Sequence, residues 1–147
     1  MDYKGYKELK CYIEACSLRK YISHSSKKFP LHEKFLLAAQ IIDSSRSATA
    51  NMAEGYGRNT YSDTRNFFII ARGSTAETME HLTIAFDENY TSEQELTEGE
   101  QKCELVLKLT NGYISCLDTS NKQKSNPRPK DNFKPKVPDF QSPIPNS

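Results

Sequence analysis

Apolar residues recur at intervals of three and four along most of the chain, which is the spacing of one face of an α-helix. Four segments show this pattern, and none shows the period-two alternation of a half-buried strand. Short connectors join these segments, each of about 20–28 residues, so the helices have similar lengths. The pattern predicts an all-α fold, an antiparallel up-down-up-down four-helix bundle in which helix 1 lies antiparallel to helix 4.

Helices 1 and 2 are predicted in the N-terminal half of the chain. Helix 1 is expected from about Tyr6 to Ser26, with Pro30 opening the next helix. Helix 2 begins with "LHEKFLLAAQII". The apolar face of helix 1 is predicted to contain Tyr6, Leu9, Ile13, Cys16 and Ile22, and that of helix 2 to contain Phe35, Leu36, Ala39 and Ile42.

Helices 3 and 4 follow the segments "GYGRNTYSD" and "YTSEQEL". In the second segment, Thr91 with Gln94 or Ser92 with Glu95 fits a capping box, in which two side chains satisfy free N–H groups at a helix start. The inner face of helix 3 is predicted to be Phe67, Ile70, Ala71, Ser74, Thr78, Leu82 and Ala85 or Phe86. That of helix 4 is predicted to be Cys103, Val106, Leu107, Leu109, Ile114 and Leu117.

The stretch "DSSRSATANMAEG" is polar where a core helix would normally carry leucines. We predict that it is helical and packs closely on helix 3, because small side chains permit a close approach and buried hydroxyls can bond to their own helix carbonyls. An antiparallel register centred on the turn places Ser44 and Ser47 opposite Ser74 and Ala71, with Asn51 opposite Phe67.

The same register predicts a Glu54–Arg65 contact, with Gln40 near Glu77 and a polar interior or groove around Asn51 and Glu77. Gly55 and Gly57 are expected to adopt positive φ and to end helix 2. We interpret "GYGR" as a helix end and tight turn rather than a phosphate cradle, since a phosphate loop follows a strand.

The C-terminal stretch differs in composition from the rest of the chain. Residues 122–147 hold six of the seven prolines, with six basic and two acidic residues. We predict a bundle domain over residues 1–121 and a Pro/Lys-rich, disordered tail over residues 122–147, because the tail has too little apolar material to offset its ordering entropy. A short binding peptide anchored by Phe133 and Phe140 is the alternative interpretation of the tail.

Within the bundle, charge is distributed unevenly. Residues 1–30 hold seven basic and three acidic residues, whereas residues 87–104 hold one basic and seven acidic residues. Opposite signs favour these two regions lying side by side. Residues 1–121 hold 14 basic and 17 acidic residues, which is not the basic body typical of a dedicated nucleic-acid binder.

Chemistry-bearing motifs are few. The cysteines at 11, 16, 103 and 116 form no Cys-x-x-Cys pair, which favours buried reduced thiols over a zinc site. None of the three histidines stands in the Glu-x-x-His spacing of di-iron bundles. We therefore expect no enzyme activity, no cofactor and no metal. The charged N-terminus and the lack of a long apolar run predict a cytoplasmic, bacterial-type protein with no membrane contact.

Three segments together carry a family resemblance: "KKFPLHEKFLLAAQI", "ANMAEGYGR" and "FFIIARGSTAETMEHL". The chain resembles the four-helix-bundle proteins encoded in intervening sequences of bacterial 23S ribosomal RNA genes. This resemblance implies a bundle that assembles into a ring, often a pentamer. It also implies a distant tie to accessory proteins of diversity-generating retroelements, which bind a reverse transcriptase and RNA. The motif residues carry over as Gln40, Asn51, Ala53, Glu54, Gly55, Gly57, Arg58, Ala71, Gly73, Ser74 and Glu77.

One departure bears on nucleic-acid binding. Ile42 and Asp43 stand where the family usually has two arginines, so two candidate phosphate contacts are absent. We expect a non-catalytic, homo-oligomeric scaffold or binding protein that presents charged surfaces to a macromolecular partner. The alternatives are an RNA-binding accessory protein of a reverse transcriptase and a bundle that binds a metal or small ligand. The candidate nucleic-acid contacts are Lys7, Lys10, Lys20, Lys27, Lys28, Arg46 and Arg58.

Overall fold

The computed structural model describes residues 5–125, which contain four α-helices: α1 (Lys10–Ser25), α2 (Leu37–Tyr56), α3 (Tyr61–Asp87) and α4 (Glu93–Ser125). Three short 3-10 turns lie at Gly5–Glu8, Ser26–Lys28 and Leu31–Glu33. No strand occurs in this part of the chain, and the predicted all-α class is confirmed. Residues 122–125 continue α4. The rest of the predicted tail lies outside the described residues, so its disorder stays a prediction.

Helices α1 and α4 lie side by side and run antiparallel, as predicted. The Tyr21 hydroxyl donates a hydrogen bond to the Glu95 carbonyl at 2.7 Å, and Lys102 Nζ lies 3.4 Å from Ser17 Oγ. Residue numbers fall along α1 as they rise along α4, which defines the antiparallel register. Helix α1 also contacts α2, and α3 contacts α2 and α4, so α1 and α3 lie diagonally across the bundle.

The core of the bundle is apolar and receives side chains from all four helices. Several predicted core positions are correct, in particular Ala71, Leu82, Val106 and Leu117. The fully or nearly fully buried apolar residues of the helices are Cys11, Ala15, Leu18, Ile22, Leu37, Ala38, Ile41, Ala48, Met52, Phe68, Ala71, Leu82, Ala85, Cys103, Val106, Tyr113, Ile114 and Leu117.

Two predicted helix faces contain individual errors, although most of the predicted face of helix 3 is buried. Ile13 and Ile70 are exposed, whereas Cys11, Ala15 and Phe68 are buried. In α1 the small residues at positions 11 and 15 face the core, because angular position decides burial and residue size does not. Cys16, Ala39, Ile42 and Phe67, also predicted to be internal, are only partly buried.

Helix α2 begins six residues later than predicted. Leu36 has φ −115° and ψ −109°, which is not helical, and the Glu33 carboxylate accepts the Leu37 N–H at 3.0 Å. The Glu33 side chain thereby satisfies one of the free N–H groups at the new helix start. Phe35 and Leu36, predicted to line the core, are left outside the helix and exposed.

The polar stretch of α2 is helical and packs on α3, as predicted. Ser44 Oγ lies 2.8 Å from Thr78 Oγ1, and Ser47 Oγ lies 2.8 Å from Ser74 Oγ. The hydroxyls also bond to carbonyls of their own helices: Ser44 to Ile41, Thr78 to Ser74, Ser45 to Ile42, Thr49 to Arg46 and Thr75 to Ala71. These bonds allow the hydroxyls to be buried without leaving donors unsatisfied.

The predicted register between α2 and α3 is wrong by about one helical turn. Ser44 meets Thr78 rather than Ser74, and Ser47 meets Ser74 rather than Ala71. Gly55 explains the shift: a Cβ on this residue would lie 2.5 Å from Phe67 Cβ and 3.3 Å from the Phe68 ring. Gly55 thus lies level with Phe67 and Phe68, and the first turn of α3 extends past the end of α2.

The positive φ predicted for the two glycines is wrong, although Gly57 is the C-cap residue at which α2 ends, as predicted. Gly55 lies inside α2, and Gly57 has φ −81°, so neither adopts positive φ. Gly55 is required instead by close packing, since any larger residue would push α2 and α3 apart.

Replacing Gly55 by alanine is expected to destabilise the protein by about 1–3 kcal/mol, because the added methyl group overpacks the α2–α3 contact. Gly73→Ala is the matched control, since a Cβ there meets nothing within 4 Å and removing a helical glycine gains about 0.5–1 kcal/mol. Urea unfolding monitored by circular dichroism measures both. Equal midpoints for the two variants would contradict the close approach at Gly55.

Candidate functional site

The most unusual surface feature is the connection between α1 and α2. Its residues 31–36, here called the 31–36 loop, expose three large apolar side chains: Leu31 by 84%, Phe35 by 83% and Leu36 by 57%. A soluble monomer seldom exposes several large apolar side chains within one short segment. We therefore regard this loop as the candidate interaction surface.

The 31–36 loop is anchored to the connection between α3 and α4. Tyr90, in the α3–α4 connection, donates its hydroxyl to Glu33 Oε1 at 3.0 Å, while Glu33 Oε2 accepts the Leu37 N–H. His32 Nε2 lies 3.3 Å from the same Tyr90 oxygen. The Tyr90 ring packs on the buried Phe29 with centroids 5.8 Å apart. These contacts hold the backbone of the loop in one place while its apolar side chains point outward.

Tyr90 is positioned by the way α3 ends. Asn89 has φ 62°, its N–H donates to the Phe86 carbonyl at 2.9 Å, and the Tyr90 N–H donates to the Ala85 carbonyl at 2.8 Å. This is a Schellman motif, with asparagine in the left-handed position that glycine usually takes. The motif turns Tyr90 back toward the bundle, where it can reach Glu33.

Opposite charges join the loop end of α1 to the start of α4, as the uneven distribution of charge predicted. Lys28 Nζ lies 2.7 Å from Glu95 Oε1. Glu95 also accepts the Ser92 N–H while Ser92 Oγ accepts the Glu95 N–H, so the Ser92–Glu95 alternative for the predicted capping box is confirmed. Lys28 and these bonds together hold the pKa of Glu95 below its ordinary value of 4.5.

Helix α4 presents a polar, acidic surface near the same end. A shallow depression of about 510 Å³ is lined by Glu93, Gln94, Thr97, Glu98 and Gln101. All five lie within three turns of a single helix, so the depression is open to solvent. It lacks the enclosing walls typical of a small-molecule site.

The predicted Glu54–Arg65 contact is wrong. Arg58 Nη2 lies 2.6 Å from Oε1 of Glu54, one turn earlier in the chain, and the Arg58 guanidinium lies 4.7 Å from the centre of the Phe67 ring. Arg65 Nε instead donates to Asp118 Oδ1 of α4 at 2.9 Å. The one-turn shift in register explains why Arg65 does not reach Glu54.

Tyr61 completes a three-residue clamp between α3 and α4, because its hydroxyl also donates to Asp118 Oδ1. These two donors, Tyr61 and Arg65, hold the pKa of Asp118 below its ordinary value of 3.8. The same contact raises the pKa of Tyr61 above 10.0. No local sequence pattern indicates this clamp, because Asp118 lies more than 50 residues along the chain from Tyr61 and Arg65.

The predicted polar interior or groove around Asn51 and Glu77 does not form. Asn51 Nδ2 bonds within α2, to the Ser47 carbonyl at 2.8 Å and to the Ser47 hydroxyl at 3.0 Å. Glu77 is exposed and lies 3.3 Å from His81 Nε2 on its own helix. Gln40 is exposed, and the shifted register moves it away from Glu77.

The candidate nucleic-acid contacts are spread over the bundle. Lys28 and Arg58 are engaged with carboxylates in the ion pairs described above. Lys7, Lys20, Lys27 and Arg46 are exposed, and Lys10 is partly buried. They lie on α1, on α2 and in the connections flanking them, rather than along a single stripe.

Two of the four cysteines, Cys11 and Cys103, are buried. Burial raises the pKa of the Cys11 and Cys103 thiols to about 12, which keeps both protonated at neutral pH and therefore weakly nucleophilic. Within residues 5–125, no three His, Cys, Asp or Glu side chains are grouped so that they could hold a metal ion. In the same range no helix is both long enough and apolar enough to span a bilayer.

The chain matches a known protein family and has a fold similar to that of a solved structure. Residues 7–112 match the family model described as 23S rRNA-intervening sequence protein. A crystal structure of a protein with unknown function from the S23 ribosomal protein family of Bacteroides thetaiotaomicron VPI-5482 superimposes with a TM-score of 0.66. The two chains are 21% identical, over 71% of this chain and 97% of that one, so the likeness shows the fold alone. No curated protein matches the chain.

We expect acid to weaken the Tyr61–Arg65–Asp118 clamp. Because the folded-state pKa of Asp118 is depressed, its contribution is present above the ordinary pKa of 3.8 and is lost as pH falls through the lowered value. Urea midpoints measured between about pH 5 and pH 2 should fall less steeply for Asp118→Asn than for the wild type. Asp43→Asn, at an exposed position of α2, is the control. Identical pH profiles for Asp118→Asn and the wild type would contradict the clamp.

Proposed function

Because the chain belongs to the 23S rRNA-intervening sequence protein family, we propose that it is a non-catalytic, homo-oligomeric helical-bundle scaffold or binding protein that presents charged surfaces to a macromolecular partner. The observation that carries this proposal is the 31–36 loop, whose three exposed apolar side chains find no cover within the described bundle. Large apolar patches on folded proteins mark interaction sites.

The conformation of the 31–36 loop is preformed by contacts with the bundle. Glu33 is bonded at both carboxylate oxygens, and Phe29 is buried against Tyr90. A preformed loop loses little conformational entropy when it binds, which increases affinity without adding contacts. The exposed side chains are thus held ready for a protein-sized partner.

Side chains with catalytic potential are committed to structural contacts, which supports a non-catalytic function. The serines and threonines between α2 and α3 bond to one another and to helix carbonyls, and the buried thiols stay protonated. None of these hydroxyls is paired with a histidine in the way that a serine nucleophile requires. The same observations weigh against the alternative of a metal- or small-ligand-binding bundle.

The RNA-binding alternative rests on the family resemblance and on the seven candidate cations. Two of them already form ion pairs: Lys28 with Glu95 and Arg58 with Glu54, at nitrogen–oxygen distances of 2.7 and 2.6 Å. Contacting phosphate would require these ion pairs to break, which reduces the gain from binding. The scaffold interpretation is therefore favoured. A pentameric ring and a cytoplasmic location stay predictions that come from the resemblance and the sequence.

The proposed assembly predicts a solution mass well above that of the 16.8 kDa chain. Light scattering of the purified protein at micromolar concentration, coupled to size exclusion, measures it directly. A mass near five chains would agree with the ring that the resemblance implies. A single species of one chain mass at every accessible concentration would rule out the oligomeric function.

RNA binding, where it occurs, is expected to be weak and only moderately dependent on salt. Four of the candidate cations, Lys7, Lys20, Lys27 and Arg46, are exposed and lie outside these two ion pairs. A log–log plot of the binding constant against salt should therefore have a slope no steeper than about −2.8, at about −0.7 per single-strand phosphate contact. Filter binding of structured and unstructured RNA from 50 to 200 mM salt measures this slope. A steeper slope with tight binding would favour the accessory-protein alternative.

A further inference from the structure

The outward surface of α3 combines carboxylates with an exposed apolar residue. Asp63, Ile70 and Glu77 are all exposed, Ile70 by 50%. They are spaced at seven residues, which is about two helical turns, so they form a row on one side of the helix at intervals of about 10.5 Å. Gly73 lies beside this row, and a Cβ there would meet nothing within 4 Å. We call the surface around these residues the outer face of α3.

The arginines of α3 do not offset these carboxylates, because they are bonded to α4. Besides His81, the basic residues of α3 are Arg65 and Arg72. Arg65 Nε donates to Asp118 Oδ1 at 2.9 Å, and Arg72 Nη1 donates to Asn111 Oδ1 at 3.0 Å. Both guanidinium groups are therefore directed toward α4, and the outer face of α3 is negative.

Two further groups border this face and leave its charge in place. Arg58, just before α3, is paired with Glu54 and lies over the Phe67 ring. His81 is buried, with its Nε2 3.3 Å from Glu77 Oε1, but 59% of the Glu77 side chain is exposed. Glu77 can therefore accept a cation from the solvent side.

The C-terminal segment has a matching pattern. In "PRPKDNFKPKVPDF", residues 127–140, Lys130, Phe133 and Lys136 recur at three residues. Proline-rich segments favour the polyproline II conformation, which has three residues per turn and a rise of about 3.1 Å, so these side chains would share one side at intervals of about 9 Å. This order, cation–apolar–cation, and this spacing match the anion–apolar–anion row on the outer face of α3.

The chain is long enough to bring the two rows together. Arg72 meets Asn111, so Ile70, two residues earlier, lies level with residue 113 of α4, about 18 Å from the helix end at Ser125. Phe133 follows Ser125 by eight residues, which span up to about 26 Å. Because α3 and α4 are antiparallel, a segment that turns back from the end of α4 runs parallel to α3, as the matched order requires.

We propose that residues 130–136 dock on the outer face of α3 in the same chain, with one apolar contact flanked by two ion pairs. The contacts formed are Lys130–Asp63, Phe133–Ile70 and Lys136–Glu77. Docking removes apolar surface from water and brings opposite charges together. The tether keeps the segment at an effective concentration of about 1 mM or more, so individually weak contacts suffice. A macromolecular partner that uses this face has to displace the segment.

The acidic start of α4 is the competing surface for a basic segment, and it lies out of reach. Glu98 precedes Ser125 by 27 residues, a distance of about 40 Å along the helix. Lys136 follows Ser125 by 11 residues, which span at most about 36 Å. Glu77, by contrast, lies level with residue 106 of α4, about 28 Å from the helix end.

Zero-length cross-linking tests the pairing in the full chain. A carbodiimide condenses a lysine amine with a contacting carboxylate, taking up the water as a urea, and mass spectrometry identifies the joined residues. The Lys130–Asp63 and Lys136–Glu77 products should form at 50 mM salt and fall about threefold or more at 500 mM salt, because salt screens exposed charge pairs. When ¹⁵N-labelled and unlabelled chains are refolded together from urea, each product should carry a single label.

Trypsin cleavage after Lys130 measures docking independently, since a docked segment is cleaved only when it opens. Phe133→Ser and Ile70→Ser should each raise the cleavage rate at 50 mM salt about threefold or more. The matched controls are Phe140→Ser, which is out of phase with the three contacts, and Ile13→Ser, which removes an equally exposed side chain from α1. Both controls should be cleaved at the wild-type rate.

A charge exchange tests the polar part of the contact. Lys136→Glu and Glu77→Lys should each raise the cleavage rate, and the doubly substituted chain should return toward the wild-type rate, because the opposite charges meet again in reversed order. Glu98→Lys, on α4, should have no effect. A double variant that is cleaved as fast as either single variant would exclude the Lys136–Glu77 pair.

Three outcomes would overturn the inference, and each indicates a different alternative. A wild-type cleavage rate equal to that of Phe133→Ser would show that the segment does not dock. Equal acceleration by Phe140→Ser would show that general apolar character, and not the matched row, protects the segment. Cross-linked products that carry both labels would place the segment on a second copy of the chain.

Discussion

The close approach of α2 and α3 is the constraint on which the rest of the bundle depends. At Gly55 the two helices come so near that a methyl group would lie 2.5 Å from Phe67 Cβ. Small side chains continue the contact further along, where Ser47 meets Ser74 and Ser44 meets Thr78. Apolar residues of larger volume at these positions would separate the helices, and the hydroxyl pairs would lose their partners.

This approach fixes the positions of the other elements. With Gly55 level with Phe67 and Phe68, the first turn of α3 projects past α2, where Tyr61 and Arg65 reach Asp118 of α4. At the opposite end, the long α3 finishes in the Schellman motif that turns Tyr90 toward Glu33. The loop anchor and the clamp therefore lie at the two ends of one rigid helix, and both depend on where α3 is held.

The sequence is sufficient to predict the helix number, the all-α class and the helical nature of the serine-rich stretch, because these depend on local periodicity and on hydroxyls that bond within their own helix. It is not sufficient for the register. Sliding α2 along α3 by one turn still places small residues opposite one another. The predicted and observed registers are distinguished by Gly55, which lies too close to Phe67 for any larger residue. The Glu54–Arg65 error and the missed Asp118 clamp both follow from that slide.

The exposure of the 31–36 loop was not predicted, for a different reason. Phe35, Leu36 and Leu37 are consecutive, so a helix starting at Leu31 has several choices of inner face. The Glu33 side chain determines where α2 begins. Its carboxylate accepts a hydrogen bond from the Leu37 N–H, and the helix does not continue back to Leu31. A side chain that caps a helix four residues later leaves a weak signal in the sequence, since glutamate is equally common inside helices.

The exposed apolar residues are better explained by assembly than by imperfect packing. The positions that face the core are filled, and small residues such as Cys11 and Ala15 occupy some of them while Leu31 and Phe35 stay outside. Burying the outer residues in the same chain would require α2 to start earlier, which would break the Glu33 bonds to Leu37 and Tyr90. Satisfied polar contacts thus keep these side chains at the surface, which favours a role in binding a partner.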